Sequence, residues 1–373
     1  MLDVLFDPYN VPFWLLIIAI LLGAIAIIAR PFSTYVKFVY PNAKFEAMGN
    51  PFIGDKELDS VAESKDIISF KETINTLKDY NVAGETMYSL QQSLDDSFLA
   101  TVDMMQKDSS KKMKEFFEVY LEKQDMPLLK NVLKNKILGN TISKDAAEKA
   151  LTPQGHMLLE TIIEAETTEL PTLLKKHGYG EDVTSVLSDL HDFTELDIAL
   201  DKHYITKLLQ ITVPYKCESA KQHYAKSLID TIHIKNVLRA KQLGYNEERC
   251  KKMFMLEGRE IPQWKYNELS ECDGVAQIIT NLEGTSYYTA CKDAIEAYNT
   301  TNSVQVFEIA LDSAFLKNIK DISIQNYSTI GPTLRFLVSK EFEIRNLKII
   351  AKGVDEHIQP AVIKRYLVKE AAA

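Results

Sequence analysis

Six basic side chains carry the clearest chemical signal: Lys130 with Lys134, Lys235 with Arg239, and Lys348 with Lys352. Each pair is four residues apart, so on a helix both cations leave the same face. Like charges so placed cost an isolated helix a few tenths of a kcal/mol. Their recurrence in a chain of net charge −9 implies common descent or a common task. Two readings follow. Either each pair sits on a solvated face opposite a Leu/Val stripe, or three such helices line one concavity that receives another protein. Only the second reading involves charge recognition, and in neither is a bond made or broken.

Other reactive groupings are weaker. Asp95-Asp96 resembles the paired aspartates of helical prenyl-transferring enzymes, but Phe98-Leu99 interrupts a fuller Asp-Asp-x-x-Asp and no second copy exists. His191 and Glu195 have i, i+4 spacing without a third ligand, so a solvated helix face is the reading preferred over a metal. The chain has no phosphate-binding Gly-x-x-x-x-Gly-Lys-Ser/Thr, no Gly-x-Gly-x-x-Gly and no Gly-x-Ser-x-Gly. No cofactor and no nucleotide is expected, and the acidic balance argues against nucleic acid. Cys217, Cys250, Cys272 and Cys291 are scattered without a Cys-x-x-Cys and read as reduced thiols of a cytoplasmic body.

The elements that position the cations belong to a cassette written three times. Its first half is Leu-Asp-x-x-aromatic, at Leu94–Phe98, Leu200–Tyr204 and Leu311–Phe315. Its second half opens at Asp125, Asp230 and Glu343 and continues into Leu129-Lys130, Ile234-Lys235 and Leu347-Lys348. Both halves recur at about 105 to 113 residues, too long for a solenoid repeat, so three homologous modules are expected. They cover 40–139, 155–244 and 262–369. With fourteen glycines and twelve prolines in 373 residues, breakers are few and an all-α protein is expected. Leu94 and Phe98 share a face that must be buried. Asp95 points away, to solvent or a basic neighbour. Hairpin turns are expected at Lys78-Asp79-Tyr80 and His177-Gly178-Tyr179, breaks at Asp108-Ser109-Ser110 and Thr301-Asn302-Ser303, and a last short helix over 357–369.

Ahead of the modules, Val11 to Ala29 is nineteen residues without a charge. As a helix it spans roughly 28 Å, the thickness of a bilayer core. Asn10 and Pro12 suit a helix start, and Pro31 reads as a break after Arg30. Asp3 and Asp7, with no early Lys or Arg, disfavour a cleaved signal peptide. A single transmembrane helix over 11–29 is expected, with Arg30, Lys37 and Lys44 placing the body on the cytoplasmic side of the cell membrane.

Together these pieces resemble the C subunit of archaeal A-type ATP synthases, equivalent to the d subunit of V-type (vacuolar) ATPases. The resemblance runs from Tyr40 to Lys369. It rests on Tyr40-Pro41-Asn42-Ala43-Lys44, on the Asp-x-x-x-(Leu/Ile)-Lys cassettes, and on Glu343-Ile344-Arg345-Asn346-Leu347-Lys348. It implies three helical modules in a pseudo-threefold funnel. The funnel's base would sit on the proteolipid c-ring and its cavity would receive the central stalk subunits D and F. The role implied is non-catalytic: ion-driven rotation passes through the funnel to the stalk. The resemblance implies that most relatives are soluble and some archaeal-type members carry such a helix, so the segment at 11–29 is a departure from the common pattern. A helix outside the ring would obstruct rotation, so the ring bore is its expected place. The six cations gripping the stalk is an inference from their spacing. A membrane-anchored helical adaptor outside any rotary motor is the alternative class, and a membrane-tethered isoprenoid-type enzyme using Asp95 and Asp96 is a remoter one.

Overall fold

The computed structural model describes residues 10–77 and 80–369; the expected turn residues Lys78 and Asp79 fall outside them. The described residues form helices, turns and coil, with no strand. Seven helices among them are 18 residues or longer: α1 (Val11–Met48), α2 (Met87–Asp108), α3 (Lys114–Ile137), α4 (Phe193–Gln210), α5 (Glu218–Gln242), α6 (Gln305–Gln325) and α7 (Gly331–Asp355).

Cassette first halves lie on α2, α4 and α6, and second halves on α3, α5 and α7. The Leu and the aromatic of each first half are one turn apart and face inward. Leu94, Phe98, Leu200, Tyr204, Leu311 and Phe315 are all buried, which is why the intervening Asp emerges beside the core rather than in it. Local signals set the ends. Thr86 and Ser89 form a reciprocal cap that starts α2, and Asp192 accepts from the Thr194 N–H at the start of α4. Asn302 takes a left-handed conformation, φ 50°, that closes the helix Ile295–Thr301 before α6 begins.

The six cassette helices pack in a closed cycle. α2 meets α3, α3 meets α4, α4 meets α5, α5 meets α6, α6 meets α7, and α7 returns to α2. The short helices decorate this cycle with an offset. Those of the second module (Pro153–Glu164) lie on α3 of the first. Those of the third (Gln263–Glu271 and Val275–Asn281) lie on α5 of the second. Those of the first (Asp55–Ala62 and Ile67–Asn75) lie on α7 of the third. Each sequence repeat therefore buries its apolar face against a neighbouring repeat.

Two differences from the sequence reading concern helix ends. α1 does not stop at Arg30; its 38 residues run through Pro31 and Pro41 to Met48, about 57 Å at 1.5 Å per residue. A mid-helix proline removes one N–H donor, here the one that would meet the Ile27 carbonyl, and tertiary anchoring outweighs that loss. The anchor is Asn42. Its Nδ2 donates to the Tyr327 and Thr329 carbonyls at 2.8 Å each, and its Oδ1 accepts from Thr333 Oγ1 at 3.3 Å. Phe45 stacks on Phe336 at 5.1 Å, and Lys44 pairs with Asp108 at 2.6 Å. The upstream stretch of α1 is apolar, and its most apolar window holds no buried residue. At the other terminus, the expected last helix is a turn over Pro360–Ile363 followed by a 3-10 turn to Tyr366.

Candidate functional site

The cassette acids and bases meet at the three seams of the helix cycle. Lys130 of the first module reaches Asp201 of the second, Nζ to Oδ1, at 2.6 Å. Lys235 of the second reaches Asp312 of the third at 2.6 Å. Lys348 of the third reaches Asp95 of the first. The same base in each second half thus holds the same acid in the next first half, and the last pair returns to the beginning. Asp95 does have a basic neighbour, as its direction on α2 requires.

One helical turn along lies a second tier. Lys134 pairs with Asp197 at 2.6 Å, and Arg239 grips Glu308 with two 2.6 Å bonds. At the third seam the equivalent acid position is Gln91. Lys352 instead pairs on its own helix, with Glu356 at 2.6 Å and Asp355 at 3.7 Å. All six basic residues singled out by spacing are therefore in ion pairs, five of them across a seam. Burial pushes the Asp201 carboxyl upward against the pull of Lys130. Burial likewise lowers the Lys235 ammonium against the pull of Asp312, which also receives Arg345 at 2.7 Å.

The acid that opens each second half has a separate task. Asp125 accepts from the Leu151 N–H at 2.6 Å, the Thr152 N–H at 3.0 Å and Thr152 Oγ1 at 2.5 Å. Asp230 accepts from three successive N–H groups, Arg259, Glu260 and Ile261, at 2.9 to 3.0 Å. Glu343 accepts from the Ile53 N–H at 3.1 Å. Each carboxylate thus ties down the strip of chain that enters the following module's short helices. Burial lifts Asp230 to about 6 and Glu343 to about 7, the N–H donors opposing it in both cases. Glycines make room: a Cβ on Gly155 would lie 2.3 Å from Asp125 Oδ2, and one on Gly258 would lie 1.9 Å from Asp230 Oδ1. Sequence reasoning placed these acids in the repeat without a role. A signal existed in the first two copies only: Asp125 lies 27 to 30 residues before Thr152 and Gly155, and Asp230 lies 28 before Gly258, whereas Glu343 reaches back to Ile53.

Where the second-half helices begin, they converge. Tyr120 on α3 stacks with Tyr224 on α5 at 6.0 Å, and Tyr224 lies 6.1 Å from Phe315. Glu341 on α7 accepts from Tyr120 and pairs with Lys123 at 2.7 Å. Burial opposes the Glu341 charge, but Lys123 and the Tyr120 hydroxyl hold its carboxyl below the usual range. Lys123 also edges a recess of about 230 Å³, lined by Pro127, Lys130, Asp201, Ile232 and Lys235, among others.

The remaining candidates form no reactive cluster: His191 and Glu195 edge one open recess, without a third ligand. His191 precedes α4 and is exposed, lying 3.7 Å from Asp189. No group of three or more His, Cys, Asp or Glu among the described residues is placed to hold a metal. Asp96 is exposed, and its neighbour Asp95 is committed to Lys348. All four cysteines are free and buried.

Fold and seams together define an all-α body, braced by repeated ion pairs around a cycle of six helices and preceded by one long apolar helix. The chain belongs to the ATP synthase (C/AC39) subunit family, which it matches over residues 41–366. It is similar to the A-type ATP synthase C subunit of Methanobrevibacter smithii, 29% identical over 352 residues, or 91% of this chain and 90% of that one. The C subunit of Methanothermobacter thermautotrophicus is 26% identical over 358 residues, 93% and 92% of the two chains. That of Methanocaldococcus jannaschii is 27% identical over 348 residues, 89% and 86%.

Proposed function

We propose that this chain is the non-catalytic rotor subunit that joins the proteolipid c-ring of an A-type ATP synthase to its central stalk subunits D and F. Ion flow turns the ring, the body turns with it, and the stalk carries the motion to the nucleotide sites. A coupling needs a body that does not shear under torque. The observation that carries the reading is the cyclic pairing Lys130–Asp201, Lys235–Asp312 and Lys348–Asp95. Buried or half-buried charge pairs hold their geometry because separating them leaves ions without partners. A closed set of three leaves no free seam along which modules could slide.

In this reading the three modules form a funnel, closed at the Tyr120–Glu341 plug, whose hollow seats the stalk. Lys130, Lys134, Lys235, Arg239, Lys348 and Lys352 edge that seat and brace its wall. Residues 11–29 cross the bilayer once, with Arg30, Lys37 and Lys44 on the cytoplasmic side. Support for the span is length and apolarity alone: the α1 window has mean hydropathy 2.9 and no buried residue. The span lies in the ring bore, where it rotates with the ring. Crosslinks from Phe13 or Trp14 to the ring proteolipids are expected, and crosslinks to the static membrane component would contradict that placement.

The deciding experiment is a pull-down from native membranes in mild detergent through a carboxy-terminal tag. Recovery of the proteolipid ring with the stalk proteins is expected. Recovery of the chain alone, or with unrelated partners, would return the membrane-anchored adaptor as the better account.

A further inference from the structure

The three seams are not alike, and the difference lies on the face that edges the proposed seat. At the first two seams the outer cations Lys134 and Arg239 each meet an acid across the boundary, Asp197 and Glu308. The residues that follow the inner cations Lys130 and Lys235 are the polar Asn131 and Asn236. At the third seam the corresponding residues are Lys352 opposite Gln91, and Ile349 in place of asparagine. A groove of about 380 Å³ opens there, edged by Gln91, Arg345, Lys348 and Lys352, with an apolar side formed by Ile349, Ile358 and others. Ile358 and Tyr366 on its margin are large, apolar and exposed.

Lys352 is held only loosely. Its contacts are with Glu356 and Asp355 on its own helix, both exposed. A Lys placed N-terminal to Glu is the poorer orientation for such a pair, and exposed pairs contribute little. A carboxylate arriving from the hollow would compete well for it.

We propose that this third seam is a keyed wall: it receives an amphipathic helical segment of the stalk that brings a carboxylate to Lys352 and an apolar side chain to the groove over Ile349. The inference rests on the rotor reading above. It adds what a pseudo-threefold seat otherwise lacks. Three equivalent walls would accept a shaft in three orientations about the axis, whereas one different wall fixes a single orientation. Charge complementarity names the occupant, because the acid present at the other two seams is absent from this one and the groove beside it is apolar.

The test uses the full chain in detergent and the central-stalk subcomplex purified from the same ATP synthase. Gln91→Asp supplies the missing acid and makes the third seam like the others. Asn131→Asp adds the same charge at the first seam, and Lys352→Gln removes the cation without adding an acid. All three are checked for unchanged helicity and melting. Gln91→Asp and Lys352→Gln are each expected to weaken stalk binding about tenfold and to flatten its salt dependence, while Asn131→Asp changes it less than about threefold. Equal losses in all three variants would overturn the keyed wall while leaving the rotor reading intact. So would no loss with Gln91→Asp and Lys352→Gln. If the unmodified chain does not bind the stalk, the rotor reading fails and takes this inference with it.

Discussion

Lys348 pairs with Asp95 across 253 positions of sequence, joining the last long helix to the first of the cycle. The equivalent pairs, Lys130–Asp201 and Lys235–Asp312, span 71 and 77 positions. The first two contacts tie neighbouring repeats, and the third turns a chain of repeats into a loop.

Asp312 should be the most sensitive of the three acids, because it alone accepts two cations, Lys235 and Arg345. Asp312→Ala leaves a half-buried ammonium without its acid and should destabilise the full chain by about 2–4 kcal/mol. Lys352→Ala, at an exposed position outside the cross-seam pairs, should stay within about 0.5 kcal/mol. Urea unfolding in detergent checks the order; similar losses would mean that the seam pairs are not a structural brace.

A methyl group at Gly258 would occupy the space of Asp230 Oδ1 and crowd the Ile261 carbonyl at 3.0 Å. Gly258→Ala should therefore dislodge the carboxylate from its three N–H donors and cost about 2–4 kcal/mol. Asp230→Asn turns an NH₂ towards at least one of those donors and should cost about 1–3 kcal/mol. Gly23, with open space around its missing Cβ, is the control: Gly23→Ala should leave the body's melting temperature unchanged.

Glu343 gives a pH signature. Burial lifts its carboxyl from 4.5 to about 7, against the Ile53 N–H and Lys340, so between those values the folded chain holds a proton that the unfolded chain releases. Stability from this group is full below about pH 4.5 and is lost as pH rises through 7. Glu343→Gln mimics the protonated form. Its stability relative to the parent should be higher at pH 8 than at pH 5, read as the shift in urea midpoint. A difference independent of pH would refute the assignment.

Asn42 is the anchor by which α1 docks on the body. Asn42→Ala removes hydrogen bonds to Tyr327, Thr329 and Thr333 and leaves buried carbonyls unpaired, a loss of about 1–3 kcal/mol in docking. A spin label at the exposed Val39 should become more mobile in the variant, with the melting of the cassette helices little changed.

Much of this was legible in the sequence, in the parts governed by local periodicity. The buried Leu and aromatic of each cassette follow from i, i+4 spacing, and Asp95's outward direction follows from the same geometry. What covers Asp95 did not follow, because its partner lies on a helix far later in the chain. The break in the second tier could have been read, since the residues four before the cassette acids are Gln91, Asp197 and Glu308. The roles of Asp125, Asp230 and Glu343 were largely hidden because most of their partners are main-chain N–H groups, which carry no residue signature. Pro31 misled the reading of α1 for a related reason: propensity speaks for a residue and its neighbours, while Asn42 and Phe45 settle the outcome from eleven residues or more downstream.

The persistence of α1 from Val11 to Met48 carries a mechanical corollary. With each residue advancing about 100° around a single cylinder, the azimuth of every apolar side chain is locked to that of Asn42. If the proposed rotor role holds, the body and its apolar segment share one continuous backbone, through which a turn imposed at one end would be handed to the other.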